Sequence, residues 1–438
     1  MRSYLTIIKF LIISVLLASC ANDGAILPGQ RQSVLPDFSD VTIDQDAANE
    51  IAIEDVGTIN SFATHAGGNA QHSGGNLELS LPLELSWSAR TKAASNQTVD
   101  LPQPIIADNR LFSIGGNSVL HAFDFTSGDE LWTVSLDANT DNPFPGINGG
   151  IAYENGTVIA HAGKRNLYAI DAETGAIIWQ KKLEVSLRGG PTLNEVNDLV
   201  VTDLDGQVYV FRLSDGVLKW RRSGFPVDTI VYGTPSPAIM GKNIIVSGQA
   251  GEIAVYELPS GDLVWADSLA SFNPRTPLER LGDIRAFPAT DAENAYFISQ
   301  SGRMSAFEVD TGFELWAKPL SGIEMPWVAG QSIFVVTIDG RLIAIRKTDG
   351  AVRWVTELPG AIPEGIPATQ NLPRYVGPLV ANSEVLLVRD TGELFRFDAN
   401  NGMLINKSNL TSQITTPMQV AHQQLVTLSR DGTIRVFK

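Results

Sequence analysis

Cysteine is nearly absent: Cys20 is the only one in 438 residues, so no internal disulfide can form. Nor is there a Cys-x-x-Cys-His haem attachment sequence. The five histidines, His65, His72, His121, His161 and His422, are scattered, with no two at metal-ligand spacing. Basic residues are also scarce. There are 32 Lys and Arg against 48 Asp and Glu, a net charge of −16, which argues against nucleic acid as a partner. No glycine loop of the phosphate-cradling kind occurs, because Gly115-Gly116 lies between strand-like runs with no helix after it. Long apolar runs are confined to the start. Arg2 and Lys9 precede the apolar run Phe10 to Leu17, which is too short to span a membrane and reads as a secretory signal peptide over residues 1–19.

What the chain has instead is a repeat. Gly128-Asp129-Glu130-Leu131-Trp132 returns as Gly175…Trp179, Gly216…Trp220, Gly261…Trp265, Gly312…Trp316 and Gly350…Trp354. A further copy, Gly402…Asn406, keeps the Gly and loses the Trp. A period of about 40–50 residues built from short strands predicts a β-propeller. Each Gly follows a small polar residue and suits the tight turn between a strand-like run, such as Gln207 to Phe211, and the return strand that ends in Trp. Asp205-Gly206, Asp339-Gly340 and Asp431-Gly432 read as the hairpin turns one strand earlier. The apolar runs do not alternate cleanly, as expected of sheets packed on both faces by neighbouring blades. The repeated Trp reads as a structural ring: large buried area and one N–H able to bond a carbonyl of the next blade. Asn406 marks a place where that packing must differ.

The two ends of the repeat region are complementary. Leu83 to Trp87 has the look of a return strand with no partner before it, and Gly432 to Lys438 is a strand with no return after it. Together they predict a split blade that closes the ring. The expected fold is all-β: an eight-bladed β-propeller of four-stranded antiparallel blades over residues 81–438, closed by pairing of the N- and C-terminal strands. Ahead of it, residues 21–80 hold nine acidic residues and one basic, Arg31. Residues 20–80 read as a mostly flexible, acidic tether with a short helix near Asp46–Val56. Prolines near strand starts (Pro191, Pro237, Pro288, Pro326, Pro378 and Pro417) need no ladder donor there. The most irregular connections are 137–148, 223–235, 270–285 and 358–375, and loops on a rigid ring are where function concentrates.

Leu17-Ala18-Ser19-Cys20 matches the bacterial lipobox. By that resemblance cleavage precedes Cys20, whose thiol carries a diacylglycerol. Ala21 rather than Asp at the next position favours the outer membrane. The Gly-xxx-Trp repeats resemble those of the pyrroloquinoline-quinone-type repeat propellers, and with the lipobox and eight blades the chain is similar to the BamB family of outer-membrane β-barrel assembly lipoproteins. Val185-Ser186-Leu187-Arg188-Gly189 and Arg280-Leu281-Gly282-Asp283-Ile284-Arg285 resemble two loops of that family which contact a POTRA domain of the BamA-type barrel insertase. The resemblance implies a non-enzymatic scaffold with no cofactor, metal or small-molecule substrate, lipidated at Cys20 and facing the periplasm. It also implies partner contacts at Val185, Leu187, Arg188 and Asp283, with Arg188 and its neighbours expected in a connection at one rim. Arg285 stands where the family has Asp, so the partner contact is expected to differ in charge there. The bland alternative for Arg188 and Asp283 is a pair of charged inter-blade residues.

Two enzyme-like readings compete. The repeat superfamily includes quinone-dependent alcohol dehydrogenases, whose site uses adjacent cysteines and a Ca²⁺ held by carboxylate and amide oxygens; a chain with one cysteine cannot supply that disulfide. A glycan-binding or glycan-cleaving propeller would need two carboxylates across a cleft, for which Asp203, Asp205, Asp283 and Glu324 are the candidates. His121, beside Leu120 on a strand, reads as a satisfied structural residue.

Overall fold

Among the described residues, thirty-two strands form eight four-stranded antiparallel sheets. The computed structural model describes residues 41–93, 100–136, 149–224, 235–270, 284–360, 373–410 and 413–438. Blade 1 shows the plan, with strands Ile105–Ala107, Arg110–Ile114, Val119–Asp124 and Glu130–Ser135 paired in that order. Blades 2 to 7 repeat it over 150–182, 187–222, 238–268, 289–318, 327–357 and 375–409. Blade 8 is the split one. Gln419–Ala421, Gln424–Leu428 and Thr433–Phe437 come from the C-terminus, and Leu85–Arg90 completes the sheet as its fourth strand. Its register runs from Leu85↔Phe437 to Arg90↔Thr433. The eight-bladed ring and its closure are therefore as the repeat predicted.

First strands of adjacent blades touch and line the axis, while fourth strands such as Ile177–Lys182 lie outside and are largely exposed. The core lies between blades. Phe112 and Leu120 of blade 1, for example, pack with Ile151, Tyr153 and Tyr168 of blade 2. Second and third strands are covered on both faces, which explains their continuous apolar runs. The expected prolines behave in two ways. Most precede a first strand, but Pro191 and Pro378 lie inside the strands Leu187–Leu193 and Tyr375–Ala381, where the ladder register shifts.

The repeated Gly and Trp are two halves of one inter-blade clasp. Each Trp donates its indole N–H to a backbone carbonyl of the next blade: Trp87 to Phe125, Trp132 to Ala172, Trp179 to Leu213, Trp220 to Leu258, Trp265 to Val309, Trp316 to Lys347 and Trp354 to Ala399, at 2.7 to 3.2 Å. The indole then lies flat against the next blade's turn glycine. A methyl group at Gly261 would stand 2.6 Å from Trp220, and at Gly312 2.5 Å from Trp265. Only glycine fits, and its positive φ completes the turn. Burying an indole is worth about 4–6 kcal/mol as an upper bound, taking 150–250 Å² at about 25 cal/mol per Å². Asn406 has a physical reason too. Its neighbour is the split blade, whose third strand, Thr433–Phe437, and fourth strand, Leu85–Arg90, are not joined by a turn, so no turn glycine lies there for an indole to cover.

Residues 41–80 depart from the tether expected for 20–80, because they belong to the same compact unit as the ring. The helix is shorter and earlier than expected, Gln45–Asn49, capped by Asp44. It lies on the outer strand of blade 6, where Asp44 N–H bonds Val352 O (2.9 Å) and Arg353 is buried beneath Ala47 O (3.0 Å) and the Glu50 carboxylate (3.3 Å). The chain then crosses to the axis and circles it once, meeting the blades in order. Ala63 exchanges hydrogen bonds with Ile106 of blade 1, and Thr64 O accepts from Tyr153 N–H of blade 2. His65 Nε2 accepts from Leu193 N–H of blade 3, and Ala70 O from Ile239 N–H of blade 4. Gln71 O accepts from Thr290 Oγ1 of blade 5, and Gly75 pairs with Val328 of blade 6. Leu77 N–H reaches Val380 O of blade 7, and Ser80 N–H reaches Gln423 O of blade 8. The physical reason is the innermost strand edge. Its backbone groups point into the channel and need partners, which this segment supplies. The glycines of this segment leave room for close packing: a methyl group at Gly74 would lie 2.1 Å from Trp327.

Candidate functional site

Antiparallel strands put the turns between first and second and between third and fourth strands on one face of the ring. The connections from blade to blade emerge on the other, hereafter the connection face. The circling segment touches the far ends of the first strands and runs round the axis on the turn face. Beside it lies a well, a cavity of 140 Å³ on the axis, with Ala66 and Gly67 of the circling segment and Asp100 to Gln103 among its lining. Phe287, Met325, Trp327 and Met418 supply apolar wall.

One side of the well is charged, and five connections build it. Asp100 comes from the connection entering blade 1, Arg285 from that entering blade 5, Glu324 blade 6, Arg374 blade 7 and Thr415 blade 8. Arg374 Nη1 donates to both oxygens of Asp100 (3.1 and 2.9 Å), and Nη2 to Thr415 O (3.2 Å). Arg285 Nη2 lies 3.4 Å from Asp100 Oδ2, and Glu324 Oε1 lies 3.7 Å from Arg374 Nη2. Burial pushes the Glu324 carboxyl up, against the lowering pull of Arg374 and Arg285. Side-chain exposure is 21% for Arg285 and 22% for Arg374, but 10% for Asp100 and 8% for Glu324. All four residues line the cavity, and the guanidinium groups are the more exposed.

Sequence reasoning named Glu324 only as a possible glycosidase carboxylate and missed Asp100 and Arg374. The structure does not bring Asp203 to Glu324. Asp203 is buried in a turn of blade 3, accepting from Asp205 N–H, Gln207 N–H and the Tyr209 hydroxyl. Burial raises its pKa as well. His121 is paired with Glu130 (2.6 Å), as a structural residue would be. Among the described residues no group of three or more His, Cys, Asp or Glu is placed to hold a metal ion.

The expected partner residues are distributed as follows. Cys20 and Asp283 lie outside the described residues. Val185 is half-buried on the connection face, in the short link between blades 2 and 3. Leu187 and Arg188 are not on a loop: they begin the strand Leu187–Leu193 and are 0% and 4% exposed. The reason is wedging between blades. Leu187 N–H bonds Lys164 O of blade 2 (3.0 Å), His161 Nε2 donates to Gly189 O (2.6 Å), and Ser236 Oγ beside blade 4 accepts from Gly190 N–H (2.8 Å). Arg285 turns into the well, towards Asp100.

The family described as outer membrane protein assembly factor BamB matches residues 84–356. The chain belongs to the BamB family. The outer membrane protein assembly factor BamB of Yersinia pestis is 21% identical over 357 residues, covering 80% of this chain and 88% of that protein. The crystal structure of BamB from Moraxella catarrhalis superposes with a TM-score of 0.67 at 18% identity, over 82% of this chain and all of that one. Quinohemoprotein alcohol dehydrogenase from Comamonas testosteroni gives the same TM-score, 0.67, at 13% identity, over 86% of this chain and 80% of that one. At such identities the two structures show a shared fold, and the fold serves both an assembly factor and an oxidoreductase. BamB-family membership rests on the sequence match.

Proposed function

We propose that this protein is a non-enzymatic scaffold of outer-membrane β-barrel protein assembly, held in the outer membrane by lipid on Cys20 and facing the periplasm. The observation that carries the reading is the family match across 84–356, on a ring that closes with all eight blades. The partner is a BamA-type insertase, bound through a POTRA domain at the connection face, with no catalysis or cofactor required. Val185 and Asp283 contact the partner. Leu187 and Arg188, wedged beneath Val185, hold the shape of that surface. Apolar area at the centre of an interface carries most of its affinity, which favours Val185 as the point to perturb.

The test is binding of the insertase's POTRA fragment to the soluble ring. Val185→Asp should weaken binding at least tenfold with unchanged circular dichroism. Leu218→Asp, on an exposed outer strand of blade 3, should leave it unchanged. Equal binding by wild type and Val185→Asp would place the interface elsewhere, and no binding by wild type would sink the scaffold reading. In cells, Cys20→Ser should move the protein from the membrane to the soluble fraction.

A further inference from the structure

We propose that the axial well is a binding site for a small carboxylic acid with a ring-sized apolar body, its carboxylate on Arg285 and Arg374. The inference does not depend on the docking reading. It rests on four observations. The first is shape. Ala66 and Gly67 of the circling segment line the 140 Å³ cavity together with residues from the connections entering blades 1, 5, 6, 7 and 8, so the cavity lies on the axis. Cavities of about 150 Å³ accept a benzene-sized body. The second is lining. Phe287, Met325, Trp327 and Met418 provide apolar contact, with Arg285 and Arg374 on one side, the usual make-up of a small-molecule site.

The third observation is which charge is more exposed. All four charged residues line the cavity, and the two guanidinium groups keep about twice the exposure of the two carboxylates paired with them. Asp100 accepts from both and orients them. Planar donors held by a buried carboxylate are suited to receive a second carboxylate from the open side. The fourth is incomplete satisfaction. Among the described residues Arg374 Nε and Thr415 Oγ1 have no hydrogen-bond partner, and Glu324 Oε1 has only its 3.7 Å ion pair with Arg374; all three belong to this one network. A ligand anion draws the guanidinium groups forward and leaves Glu324 with less compensation. Asp100 adds a further negative charge beside it, so Glu324 takes up a proton as the anion binds. Affinity for the acid therefore rises as pH falls, and the charged groups facing Glu324 are Asp100, Arg285 and Arg374.

The probes are 3-phenylpropanoate, its neutral amide and 3-phenylpropylamine, titrated calorimetrically into the soluble ring. The acid should bind at least tenfold more tightly than the amide or the amine, and more tightly at pH 5.5 than at 7.5. Arg285→Gln should abolish the preference for the acid with the fold intact by circular dichroism. Should that variant fail to fold, Glu324→Gln serves instead, and should remove the pH dependence while binding persists. One peptide arm separates the sources: acetyl-Ala-Ala-Leu with a free C-terminus competes with the acid if the natural ligand is a chain end, and does not if it is a free small acid. Preference for the amine or the amide, or no saturable binding of the acid at about 10 mM, where affinity is too weak to count as recognition, overturns the proposal.

Discussion

Replacing Gly261 by alanine tests whether the Gly–Trp clasp holds neighbouring blades together. Two costs arise. Gly261 sits at φ +72°, where an L side chain costs about 1–2 kcal/mol. The added methyl would stand 2.6 Å from Trp220 Cδ2, and the indole cannot yield easily: it is 9% exposed and fixed through Nε1 to Leu258 O at 2.8 Å. Forcing such a contact costs a further 1–3 kcal/mol or so. The structure supplies its own control. Gly241 has φ +58°, yet nothing lies within 4 Å of its added methyl. Gly241→Ala should therefore lose only the backbone part, about 1–2 kcal/mol, and Gly261→Ala about 2–5 kcal/mol. Urea unfolding followed by tryptophan fluorescence gives both, with an unchanged slope as the condition for comparing midpoints. Equal midpoints for the two variants would refute the clasp as a stabilising contact.

Acid should unfold the ring well above the pH at which carboxylates alone act. His65, His72 and His161 are buried and neutral, with burial lowering their pKa values to about 3, about 4 and about 4. Unfolded histidines near 6.5 bind the proton first, so stability is full above pH 6.5 and falls as pH drops towards 4. At pH 5 each of the three contributes a loss of about 2 kcal/mol. The urea midpoint should drop between pH 7.5 and 5, less steeply in His72→Gln; a midpoint constant over that range contradicts the assignment. Deleting residues 432–438 removes the strand that Leu85–Arg90 pairs with, so the truncated protein should lose its cooperative melting transition or aggregate. An unchanged transition would count against ring closure through blade 8.

The ring was legible because its determinants are local and periodic. A turn glycine needs positive φ and an indole needs a flat partner, and the pair recurs at seven of the eight blade junctions. The split blade showed as two unmatched strand halves. The candidate site was legible only in part. Its charged residues sit at the ends of irregular connections, and Asp100 and Arg374 are 274 positions apart. No spacing rule links them.

Sequence alone determined the eight blades, from residue types repeated about every 40–50 residues, and their closure, from two unmatched strand halves; the family follows from its match to the chain. Tertiary structure decided the rest. A Gly-rich, acidic stretch reads as a linker until the inner strand edges it satisfies are in view. Composition reports a lack of side chains but not the reason for it, here the close approach of Trp327 to Gly74. Arg188 read as a rim anchor because charge suggests a surface. The ring buries it all the same, because the link between blades 2 and 3 leaves no slack for a loop. Arg285 differs from its family's Asp in sign, and only the fold shows that it pairs with Asp100 on one side of the well. Pairwise strand geometry is written in the local chain; which far ends meet on the axis is fixed by closing the ring.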